Sequence, residues 1–62
     1  MDGTTAELTS LATALDELST RVTTIAEGLS GTERDGTAAE LFEVERALGE
    51  AQRRLARVLE PS

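Results

Sequence analysis

Apolar residues fall at Leu8, Leu11, Leu15, Leu18, Val22, Ile25 and Leu29, in unbroken steps of three and four. A strand turns every second residue to one face, whereas a helix with 3.6 residues per turn gathers this whole row along one side. The row is therefore a coiled-coil stripe: Leu8, Leu15, Val22 and Leu29 take heptad position a, and Leu11, Leu18 and Ile25 take d. A second series, Leu41, Val44, Leu48, Ala51, Leu55 and Val58, alternates in the same way but out of phase. Extending the first register would put a sites at Gly36 and Glu43, so the second series is a separate helix.

The segment between the two series, Ser30-Gly31-Thr32-Glu33-Arg34-Asp35-Gly36, has turn chemistry throughout. Gly31 suits the left-handed residue that ends a first helix, and Pro61 ends a second. Thr4-x-x-Glu7 and Thr37-x-x-Glu40 each match a capping box, in which a hydroxyl and a carboxylate satisfy backbone N–H groups reciprocally. The sequence predicts one all-α domain over 1–62: helix 1 about 4–30, loop 31–36 and helix 2 about 37–59. Such a short connection makes the helices antiparallel, a coiled-coil-like hairpin. The halves also resemble each other at an offset of 33 residues, as in Gly3-Thr4-x-Ala6-Glu7-Leu8 against Gly36-Thr37-x-Ala39-Glu40-Leu41. Any two capped heptad helices of this composition would share several such matches.

A chain of 62 residues buries a modest share of its surface. Two helices touching along one seam leave the outer sides of their Leu residues wet. Helix 1 widens its stripe with Ala12, Ser19 and Ala26 at e and with Ala14 and Gly28 at g. A face built from a, d and one flank is the pattern of a bundle rather than a two-stranded coil. The hairpin is therefore expected to dimerise into a four-helix bundle, with two-fold symmetry as the commonest closed form.

The chain contains no Cys, no His, no Trp, no Tyr and no Lys. Without His or Cys it lacks the usual zinc ligands, a thiol nucleophile and a side chain that titrates near neutrality. Asp-x-Asp spacing, phosphate-binding glycine loops and the nucleophile elbow are also missing, so neither an enzyme nor a bound cofactor or metal is expected. Twelve acidic residues against six Arg give a formal net charge of −6, which opposes binding to nucleic acid or an anionic membrane. The opening Met1-Asp2-Gly3-Thr4 carries neither the basic nor the apolar run of a secretory leader, and a cytoplasmic location is the expectation. The all-Arg basic set is what a GC-rich bacterial coding sequence produces.

Helix 2 carries a side stripe, Ala38, Phe42, Glu45, Gly49, Gln52, Ala56 and Leu59. Within it Phe42, Gly49, Ala56 and Leu59 are candidate partner-binding residues, because a mid-helix glycine permits close approach of another chain. In a two-fold dimer Phe42 of one copy could rest over Gly49 of the other. Phe42 folded over the hairpin loop is the plainer alternative. Arg53, Arg54 and Arg57 are a weak candidate anion site, although basic residues near a helix C-terminus also complement its dipole. Asp2 and Glu7 are expected to approach this cluster across the hairpin. Function is thus expected to lie in protein–protein contact, as a homodimeric adaptor or assembly factor or by contact with another protein. The alternative is an acidic inhibitor, such as an antitoxin or anti-sigma-like factor, that occludes a basic site on its partner.

Overall fold

A computed structural model describes residues 3–61. Two helices, α1 (Gly3–Leu29) and α2 (Asp35–Leu59), pack against each other as a hairpin measuring 50 × 16 × 10 Å. α1 is rich in β-branched Thr, and its hydroxyls answer to the helix itself. Those of Thr9, Thr13 and Thr24 donate to the carbonyls four residues back, Thr5, Thr9 and Thr20, at 3.0–3.3 Å. α1 closes where its Gly predicts: the Ser30 N–H donates to the Ala26 carbonyl at 3.0 Å, and Gly31 follows at φ +80°.

α2 begins two residues before the expected boundary. The Asp35 N–H donates to the Thr32 carbonyl at 3.1 Å, the Arg34 N–H to Thr32 Oγ1 at 3.0 Å, and the Gly31 N–H to Asp35 Oδ1 at 2.6 Å. Thr32 and Asp35 thus occupy the turn, and a carboxylate sits at the electropositive first turn of the helix. Gly36 becomes helical, and Thr37 lies inside the helix rather than capping it. The N-cap of α2 is Arg34, with no side-chain bond to the helix; Thr32 and Asp35, spaced like Thr37 and Glu40 five residues downstream, tie the turn together rather than capping α2. Thr4 is likewise already helical, and whatever caps α1 lies outside the described residues, as does Asp2. At the other end Glu60 is extended (φ −64°, ψ 136°), the conformation that the ring of a following Pro61 favours.

The two helices meet along positions a and e, not a and d. On α1 the half-buried or buried residues are Leu8, Ala12, Leu15, Ser19, Val22, Thr23, Ala26 and Leu29. On α2 the main series is Ala38, Leu41, Glu45, Leu48, Gln52, Leu55 and Leu59, the same alternation of four and three. Two side-chain bonds set the register: Thr23 Oγ1 donates to Glu45 Oε2 at 2.6 Å, and Gln52 Nε2 donates to Asp16 Oδ1 at 3.4 Å. That register places Ala12 opposite Leu55, Ser19 opposite Leu48, Ala26 opposite Leu41 and Leu29 opposite Ala38. At these four levels a large side chain faces a small one, which lets the helices close together. The only buried hydrophobic residues described are Ala26 and Ala38, at the turn end, and no large side chain is fully buried.

Candidate interaction surface

Moving the seam from a/d to a/e has one main consequence: the d residues come out. Leu11, Leu18, Ile25, Val44 and Val58 keep between 44% and 64% of their surface exposed, and Ala51 is half-buried. In each helix d lies on the side of a away from e. In an antiparallel hairpin those sides coincide, so both d rows share one face. The register sets Leu11 beside Val58, Leu18 beside Ala51 and Ile25 beside Val44, each pair within about one residue, or 1.5 Å, of the same height. The face is a ladder of three apolar rungs at heptad intervals. Its outer border mixes small and charged residues, Ala14, Arg21 and Gly28 on α1 and Glu40, Ala47 and Arg54 on α2.

The residues expected to bind a partner separate. Phe42 and Gly49 lie one heptad apart on α2, two positions before Val44 and Ala51 respectively. Two residues turn a helix by about 200°, so they face away from the ladder. Phe42 is 37% exposed. Gly49 is half-buried, and a Cβ there would approach only the flexible Arg53 Nη1, at 3.8 Å. Ala56 follows them on that same exposed side, while Leu59 turns into the a/e seam at the height of Leu8. A two-fold contact through the ladder therefore does not place Phe42 over Gly49 of the second copy.

Arg53, Arg54 and Arg57 are all exposed, and their neutralisation comes from α2 itself. Arg53 Nη2 lies 2.7 Å from Glu50 Oε2, and Arg54 Nε lies 3.8 Å from Glu50 Oε1. Glu43 pairs with Arg46 at 3.7 Å on the same helix. Among the described residues Glu7 forms no ion pair, so its expected approach to this cluster across the hairpin makes no bridge. The two helices are held by the seam rather than by charge, and exposed pairs of this kind contribute about 0–1 kcal/mol each.

The described residues enclose no pocket, and no group of three acidic side chains among them converges as a metal ion would require. No described helix is long and apolar enough to cross a membrane. Compared with protein-family models, curated proteins and solved structures, the chain matches none.

Proposed function

We propose that this chain is a noncatalytic protein–protein interaction module, an adaptor or assembly factor that works as a helical-hairpin homodimer in the cytoplasm. One observation carries the reading: five large aliphatic side chains, regularly spaced on one face, stay wet after the hairpin has closed. Apolar residues scattered singly over a surface need no explanation, but a contiguous row does. Covering it removes apolar area from water at roughly 25 cal/mol per Å², the largest stabilisation left to a hairpin in which, among the described residues, Ala26 and Ala38 alone are buried hydrophobics.

Sedimentation equilibrium tests this directly. Wild type is expected to be dimeric at micromolar concentrations, and Leu18→Ser combined with Ile25→Ser is expected to be monomeric with reduced helicity. A wild-type monomer that is fully helical and melts sharply overturns the proposal. The acidic-inhibitor reading draws its support from the formal charge of −6 and the exposed carboxylates of both helices. Salt separates the two readings. Self-association of two like-charged copies tightens as salt screens their repulsion, whereas capture of a basic partner weakens.

A further inference from the structure

We infer that a second copy covers the ladder with the two-fold axis parallel to the helices. Both turns then lie at the same end of a four-helix bundle, and Leu18 of each copy faces Ala51 of the other. This rests on the homodimer reading and adds to it the face used and the direction of docking.

The first argument is area. The outline of the hairpin, 50 by 16 Å, bounds the area each copy can cover at about 800 Å², the share each partner contributes to an interface of standard size, and the ladder from Leu11 to Ile25 takes the middle, about 21 Å, of that length. The second is self-complementarity. The α1 row Leu11, Leu18, Ile25 maps onto the α2 row Val44, Ala51, Val58 by the same offset of 33 residues that relates the two halves of the sequence. The helices are antiparallel, so this offset is an approximate two-fold through the middle rung, perpendicular to the face. A second copy centred on that rung meets the first rung for rung, whether its two-fold runs along the helices or across them.

The middle rung decides between the two. With the axis across the helices, Leu18 stacks on Leu18 along one edge and Ala51 on Ala51 along the other, so one edge is held apart while the other gapes. With the axis along the helices, Leu18 meets Ala51 at both edges, and the layer has even thickness. Interiors reach native density when large and small side chains face each other, and the seam inside the hairpin already follows that rule at Ala12/Leu55, Ser19/Leu48 and Ala26/Leu41.

The chain has no cysteine, so a single Glu33→Cys in the exposed turn, or Ala6→Cys near the opposite end, carries one spin label per copy. The mass of the labelled protein is measured by sedimentation equilibrium alongside the label–label distance. Parallel docking is expected to give a dimer with distances below about 25 Å at both sites, the diagonal of a bundle with helices 8–10 Å apart plus the label arms. A dimer with about 45 Å between the labels of the Glu33→Cys variant, the spacing of turns at opposite ends at 1.5 Å per residue, overturns the docking direction and leaves the homodimer intact. A monomer that keeps wild-type helicity overturns both and leaves the ladder to a different protein.

Discussion

Gly31 is the one described residue in the left-handed region, at φ +80°, and nothing lies within 4 Å of where its Cβ would be. The cost of a side chain there is purely conformational, about 1–2 kcal/mol for an L residue. Gly31→Ala is therefore expected to lower the melting temperature by several degrees, since 1 kcal/mol shifts a domain of this size by roughly 4–8 °C. Gly49 is the opposite case. Its backbone is helical, its Cβ would meet only the mobile end of Arg53, and Gly→Ala in a helix interior gains up to about 1 kcal/mol. Gly49→Ala should raise the melting temperature without changing the association constant. A loss of association instead would place α2's Phe42 side in the interface.

At the scale of the helices, the start of α2 depends on Asp35, whose carboxylate accepts the Gly31 N–H that the end of α1 leaves unpaired. This one bond ties the first residue of α2 to the end of α1. Asp35→Ala is expected to cost about 0.5–1.5 kcal/mol, the usual net worth of one hydrogen bond, and to loosen the turn, where protection of the Gly31 amide from hydrogen exchange would fall first. The positions of both helices, the antiparallel hairpin and the left-handed Gly31 were legible in the sequence, because heptad spacing and glycine conformation are local properties. The start of α2 was not, because Thr37-x-x-Glu40 has the spacing of a capping box, whereas the turn hydrogen bonds of Thr32 and Asp35 carry the helix two residues further back. Nor was the seam. Spacing of three and four marks a stripe of a and d residues, but the small e residues Ala12, Ser19 and Ala26 let the helices approach closest on the other side of a. The candidate site divided for the same reason: Leu59 was drawn into the seam, Phe42 and Gly49 were left on one face, and the ladder emerged on the other.

For the whole molecule, seam and ladder residues should answer differently to truncation. Leu48 lies opposite Ser19 in the seam, and Leu48→Ala is expected to destabilise the hairpin at every protein concentration, by about 2–3 kcal/mol for a side chain that is half-buried. Leu18→Ala removes a rung instead. Its effect should appear as a weaker association constant and a shallower dependence of the melting temperature on concentration, because the stabilisation a partner supplies by mass action grows less with concentration as the dissociation constant rises. Thermal melts of both variants over a hundredfold dilution series separate the two; identical dependence would mean that the ladder contributes nothing to association.

The flat, elongated outline of the hairpin bears on how its size can be read in solution. A compact chain of this length has a radius of gyration of about 10.5 Å. The hairpin's is 14.6 Å, a value that a compact protein reaches only at roughly 145 residues. A single hairpin therefore scatters with the radius of a globule more than twice its mass, and judged by that radius alone a monomer passes for a dimer. Laying a second hairpin face to face about 10 Å away, the usual helix-packing distance, lengthens nothing and raises the radius by only about 1 Å. Association in this molecule thickens a plank without extending it, so the forward intensity of scattered X-rays doubles while the slope that gives the radius barely moves.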